Sequence, residues 1–259
     1  MSPAPKDEEH TREGAARRLR LELDRNRALR DERARDKAAE KGMQLLREWQ
    51  VERLKRTHAD LLASPRYRSA AGFFLSDIYG PQDFAKRDES IERVYTSMVT
   101  VLPPAALHTI ALAIEVHVLS AELDRLLWKV LTHELKVTTA ITDEQYVEGF
   151  RRCDNRDERL RQVGLIRQVG EDLDDVAHRP MLGRLLKLAR RPAKMAGFGE
   201  LQDFLERGFE AFRSMNGAGE FLDTIVSRET AIIERIFAGA PAPLDLDGAK
   251  SAASRNKRP

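Results

Sequence analysis

AALHTIALAIEVHVLSAELDRLLWKVLTHELK, residues 105–136, decides the fold. Read at a helical period, Leu112, Leu119 and Leu126 lie along one line, and Ile110, Ile114 and Trp128 cover the far side. A helix that is apolar nearly all round belongs in the middle of a bundle. His108, Glu115, Glu122 and His133 fall within about 40° of one another at 3.6 residues per turn. A carboxylate on a central helix needs a partner or takes up a proton. Glu115 and Glu122 are therefore expected to pair with arginines of neighbouring helices. A membrane span is not expected here. The most apolar run, 101–119, contains Pro103, Pro104, His108, Glu115 and His117, whereas a span needs about 20 mostly apolar residues.

Working outward, helical periodicity continues in both directions. Leu46, Trp49, Leu54, Leu61 and Leu62 recur at helical spacing until Ser64-Pro65. A second segment, 67–79, stops at Gly80-Pro81, and a third, 83–102, stops at Pro103-Pro104. The β-branched run Val137-Thr138-Thr139-Ala140-Ile141 is too short and isolated for a sheet and reads as an extended connector. Thr142 and Gln145 fit a capping box that opens a helix through Cys153. Residues 155–178 form the next helix, and Pro180 and Pro192 each suit the first turn of a short one. A helix over 200–215 ends at Asn216-Gly217, a left-handed C-cap pair, and 221–237 is the last. The expected fold is all-α, a single bundle-like domain of about eight helices with short connections.

Both ends differ from this middle. Residues 1–42 hold no aromatic side chain and few large apolar ones (Leu19, Leu21, Leu23 and Leu29) among interleaved Arg, Asp and Glu. Opposite charges three and four residues apart favour an isolated helix. The segment therefore reads as a long charged helical arm that buries no face, either solvated or docked on a partner or second copy. Sustained heptads are missing, which argues against a strong coiled coil. From Gly239 the chain is rich in Ala, Pro, Gly and Ser and reads as a disordered tail, leaving 43–238 as the globular part.

Composition removes several functions. The 259 residues carry 44 Lys+Arg against 42 Asp+Glu, a net charge of +2, too balanced for a global grip on nucleic acid. The N-terminus lacks the apolar core of a secretory signal, so a cytoplasmic location is expected. One cysteine, Cys153, excludes a disulfide framework and a multi-cysteine metal site. Arg151, Arg152 and Arg156 beside it would lower its thiol pKa if it were exposed, but no placed base is legible. Phosphate-binding, dinucleotide, zinc-protease and serine-hydrolase motifs are absent. Glu115 and Glu122 stand seven residues apart, roughly 10 Å along a helix axis, so one ion cannot bridge them. The chain has no Glu-x-x-His of the kind used by bundle metal centres. Neither metal nor haem nor any other cofactor is expected.

Two segments remain as candidate sites. The block at residues 72–88, GFFLSDIYGPQDFAKRD, sets four aromatics and three aspartates around one Gly-Pro turn. In one reading Phe73, Phe74 and Phe84 fill the core, Asp83 caps the next helix and Arg87 pairs with Asp83 or Asp77. In the other, the aromatics wall a pocket with Asp77, Tyr79 and Arg87 as its polar groups. The pattern Phe-Phe-Leu-x-Asp-x-Tyr-Gly-Pro-x-Asp-Phe-x-x-Arg-Asp resembles that of an uncharacterised family of proteobacterial helical proteins. The resemblance implies a helical fold and carries no activity or catalytic residue. The second segment, 179–194, has six basic residues and no acidic one. Leu182, Leu185, Leu186 and Ala189 form a stripe beside Arg184, Lys187, Arg190 and Arg191. Such a helix either turns its stripe to the core with the cations solvated, or docks on an anion, an acidic protein or an anionic membrane. Nucleic acid is disfavoured because no aromatic interleaves with the charges.

These readings converge on a non-enzymatic helical protein that binds another protein or itself, through the charged arm and 179–194. The alternative is a bundle that binds a small molecule, a metal or haem near residues 73–88 or near Glu115 and Glu122.

Overall fold

The structure, a computed structural model, describes residues 11–78, 85–179 and 181–246, with backbone alone at 37–39, 78 and 85–89. Of the described residues 83 % are helical and none is in a strand, so the protein is all-α. The helices are α1 Arg12–Arg35, α2 Lys37–Thr57, α3 Ala59–Ala63, α4 Arg68–Phe73, α5 Ala85–Val101, α6 Pro104–His133, α7 Asp143–Arg152, α8 Arg156–Ala177, α9 Leu182–Met195, α10 Gly199–Met215 and α11 Gly219–Phe237. A π-helical turn, Phe74–Ile78, extends α4. Eleven α-helices among the described residues exceed the expected eight or so. Part of the excess arises where the run before Ser64-Pro65 is interrupted at His58, which gives α2 and α3 separately.

α6 is the axis of the fold. Its first half packs Leu107, Ala111, Ile114 and Val118 against Ala15, Leu19 and Leu23 of α1. Its second half places Leu127 and Leu131 in a cluster with Leu46, Tyr146, Phe150, Ile232 and Ile236. A third cluster, at the other end of α8 and α11, collects Leu61, Phe73, Ala177, Phe212, Met215 and Phe221. By length and composition α6 is long and apolar enough to cross a membrane, but 61 % of its most apolar window is buried inside the fold.

The charged arm is corrected. Among the described residues α1 makes the most extensive helix pairing, along α6. Its buried face consists of Gly14, Ala15, Leu19, Glu22, Leu23 and Asn26. Thr11 caps it by accepting a hydrogen bond from the Gly14 amide at 3.1 Å. Small residues let the α1 and α6 backbones approach closely, so a stripe with few large side chains still closes against a strongly apolar partner. The arginines bind inward too. Arg27 and Arg30 clamp Glu92 of α5, each at 2.6 Å, and Arg125 of α6 pairs with Glu32.

The local stop and start signals behave as read. Thr142 and Gln145 form both halves of the capping box, and Asn216 ends α10 in the left-handed conformation at φ 51°. Val137 and Ile141 of the connector are buried. Pro192 is a correction: it does not open a helix but sits inside α9, which runs on to Met195. Pro180 lies outside the described residues. The first part of the expected tail is a further correction, since residues up to 246 pack on the fold. Arg235 donates to the Asp245 carbonyl at 2.7 Å and the Ala242 carbonyl at 2.9 Å, and Leu244 and Leu246 pack on the second cluster. The remainder, 247–259, lies outside the described residues.

Candidate functional site

Asp77 is a corner lock. On the π-helical turn, its Oδ1 accepts from Arg207 Nε at 2.9 Å and Nη2 at 2.5 Å, and its Oδ2 accepts from Ser76 at 2.7 Å. The carboxylate is buried and tied to α10, a partner from far along the chain. Phe73 packs near Phe204 at 5.4 Å between ring centres, and Phe74 packs near Phe221 at 5.7 Å. Phe73 and Phe74 therefore fill the core, whereas Phe84 lies outside the described residues. Tyr79 and Asp83 lie outside the described residues, as does the side chain of Arg87, so the polar trio read from the block is represented by Asp77 alone.

The carboxylates of α6 are paired as the physics of burial requires. Glu115 binds Arg18 of α1 at 2.6 Å and also Arg161 of α8. Glu122 binds Arg25 at 3.0 Å, and Arg25 reaches Glu22 at 3.1 Å. Burial raises the pKa of Glu22, with Arg25 pulling it back down and the nearby Glu115 adding to the rise. Among the described residues no group of three His, Cys, Asp or Glu side chains could hold a metal ion.

Cys153 does not become an activated thiol. Burial pushes its pKa up, against a smaller opposing pull from Arg159. The arginines beside it in sequence are engaged with carboxylates: Arg151 and Arg152 with Glu148, and Arg156 with Glu234.

The basic segment gives a different picture. α9 contains no buried residue. It leans on α10 through Leu182 and Leu186, which are half-buried, and the Leu186 carbonyl accepts from Gln202 at 2.7 Å. Gly183 permits the close approach, since a Cβ there would stand 2.9 Å from the Phe209 ring. Arg190 makes a two-pronged pair with Glu206, Nε to Oε1 at 3.0 Å and Nη2 to Oε2 at 2.5 Å. That hydrogen bonding holds the Glu206 carboxyl at about 2. Lys194 stands 3.5 Å from Asp203.

Half of the expected stripe faces water. Leu185 and Ala189 are exposed, unlike Leu182 and Leu186. A second apolar row, missed in the sequence reading, runs Met181, Leu185, Leu188, Pro192, Met195. Met181, Leu188 and Met195 are 71 %, 74 % and 89 % exposed. Its spacing of four, three, four and three residues is that of a seam between packed helices, and this spacing was the available signal. At 100° per residue, Arg184 and Arg191 flank the row on one side, with Lys187 beyond them. Arg184, Lys187 and Arg191 are exposed and make no ion pair among the described residues.

The structure thus separates the predicted residues. Asp77 serves the core, Arg190 ties α9 to α10, and Arg184, Lys187 and Arg191 are left facing outward beside an uncovered apolar row. In comparisons with known proteins, the family model described as "Domain of unknown function (DUF8198)" matches residues 29–243. No curated protein and no solved structure matches the chain.

Proposed function

The chain belongs to the DUF8198 family, which brings no activity with it, and we propose that the protein is a non-enzymatic helical module that binds another protein through α9. One observation carries this reading: five positions at helix-seam spacing stand exposed on a helix with no buried residue. A row of this kind covers itself by receiving another helix. Exposed large apolar side chains gathered on one face mark an interaction surface, whereas scattered ones do not. The occupant is an amphipathic helix with an acidic flank, because Arg184, Lys187 and Arg191 line the row. α9 has no acidic residue, so two copies meeting through α9 would bring cations without complement. The N-terminal helix is left out of this surface, since Arg18, Arg25, Arg27 and Arg30 are engaged by Glu115, Glu122 and Glu92 within the fold.

A photo-crosslinking residue at Leu188 of the full chain, in source cells, tests the reading. The captured protein is then purified and titrated against the chain. Support is a contact in an acidic helix whose affinity falls at least tenfold both with Leu188→Asp and with Arg184→Glu/Arg191→Glu. Affinity unmoved by both changes overturns the reading. So does α9-dependent binding to phosphatidylserine vesicles without a protein partner.

A further inference from the structure

A cavity of about 110 Å³ lies between the two larger apolar clusters. One part of its wall is apolar, formed by Leu54, Phe74, Phe150 and Ile225. The other is charged. Arg53 of α2 donates through Nη1 to both oxygens of Glu229 on α11, each at 2.6 Å. His58 Nε2 sits 3.0 Å from Glu229 Oε1. Gln50 donates to Asp124 at 2.9 Å, and Arg159 Nη2 donates to the Leu123 carbonyl at 3.2 Å. Arg159 Nη1 stands 3.5 Å from Asp124, too far for a good hydrogen bond.

Not every polar atom of this wall is satisfied. His58 Nδ1 and Arg159 Nε are buried without a hydrogen-bond partner among the described residues. Both residues line the cavity and are more than nine-tenths buried, at 6 % and 4 % exposure. Arg53 and Arg159 balance Glu229 and Asp124 in number. His58 Nε2–H donates to the Glu229 carboxylate, which leaves Nδ1 as the ring nitrogen without a protein partner. The wall thus offers polar atoms that lack protein partners, beside two arginines matched by two carboxylates.

The space exceeds what one water fills, about 10–15 Å³, and approaches that of an apolar cavity of about 150 Å³ that takes benzene. We propose that this cavity is a binding site for a small neutral molecule with a ring-sized apolar body and a hydroxyl or amide group. That group accepts from Arg159 Nε–H and pairs with His58 Nδ1. An anionic ligand is rejected, because it would add negative charge beside Glu229 and Asp124. The inference stands apart from the α9 surface: neither depends on the other.

The test uses the full chain with phenol, benzene and benzoate as probes. Binding is followed by titration calorimetry and by ¹⁵N shifts of the His58 ring. Phenol is expected to saturate one site and to move the Nδ1 resonance. Benzene should bind without moving it, and benzoate at least tenfold more weakly than phenol. Ile225→Phe, which fills the apolar end, should abolish phenol binding while keeping a cooperative melt. If that variant fails to fold, the ring shift in the natural chain decides. No saturable phenol binding, a His58 ring that does not respond, binding that survives a folded Ile225→Phe, or a preference for benzoate each overturns the proposal.

Discussion

Arg53 and Glu229, 176 positions apart in the chain, are joined by a guanidinium nitrogen that donates to both carboxylate oxygens at 2.6 Å. The pair bolts α2 to α11, and His58 adds a second hold on the same carboxylate. Burial raises the Glu229 pKa, but the Arg53 charge and the hydrogen bonds from His58 and Arg53 outweigh it and hold the group at about 2. The folded carboxyl thus binds its proton less readily than the unfolded one, whose ordinary value is 4.5. Its stabilising contribution is complete above the ordinary value and is lost as pH falls from there toward 2. Urea titrations between pH 5 and pH 2.5 should show a falling midpoint, and the fall should be smaller in Glu229→Gln. An equal pH slope in both proteins would remove Glu229 as the cause.

Removing one partner of that pair should cost more than removing both. Arg53→Met leaves Glu229 buried with only His58, and losses of about 3–5 kcal/mol are typical of a broken buried pair. Arg53→Met/Glu229→Met leaves no uncompensated charge and should recover most of that loss by equilibrium urea unfolding. A double variant as unstable as the sum of the singles would show that the two residues act independently.

α1 should prove integral to the core. Leu19 is fully buried against Leu107 and Val118 of α6. Leu19→Ala should destabilise by about 2–5 kcal/mol, the range for a buried leucine cavity. A chain beginning at Gly42 would expose the α1-facing side of α6 and leave Glu115 without Arg18. It should bind a hydrophobic dye and melt without a sharp transition. A Gly42 chain with the same melt as the full protein would restore the reading of α1 as an appendage.

Sequence and structure agree where the chemistry is local. Thr142 with Gln145, Asn216 with Gly217, and Pro103 before α6 each act on their own backbone neighbours, so a short window contains the whole cause. The pairing of Glu115 and Glu122 with arginines also follows locally, from placing carboxylates on a central helix. Which arginines bind them does not follow, because Arg18 and Arg161 come from opposite sides in sequence. The burial of α1 was hidden because its contact face is built from Gly14, Ala15 and Leu19, with Glu22 and Asn26 among them. Its energy comes from α6, which no window over 1–42 contains. On α9 two apolar rows share one helix, and the sequence cannot say which row α10 will cover. Arg53, His58, Asp124, Arg159 and Glu229 form no motif at all, being drawn together from four separate stretches of chain.

Gly42 should resist enlargement. A Cβ there would stand 2.1 Å from Cζ2 of Trp128, so α2 and α6 touch through a missing side chain. Alanine would gain about 1 kcal/mol of helix propensity, but pushing a half-buried indole aside costs about 1–3 kcal/mol. Gly42→Ala is expected to lower the unfolding midpoint and change the Trp fluorescence maximum. In a Trp128→Leu background the same substitution should be neutral or stabilising. Stabilisation of the natural chain by Gly42→Ala would mean that the indole is not held where it lies.

Pro192 limits the stability of α9. It has no amide hydrogen, so the Leu188 carbonyl has no helical donor four residues on, and a ring inside a helix disfavours it by about 3 kcal/mol relative to alanine. α9 has little tertiary packing to offset this, because none of its residues is buried. Pro192→Ala should therefore slow amide exchange through α9 while leaving the global unfolding midpoint nearly unchanged, since an exposed helix opens locally. The substitution also trims the apolar row between Leu188 and Met195. A partner helix seated there should gain from a better-ordered surface and lose contact area, so its affinity should change far less than with Leu188→Asp. Exchange rates in α9 that match those of the natural chain would show that another contact sets its stability.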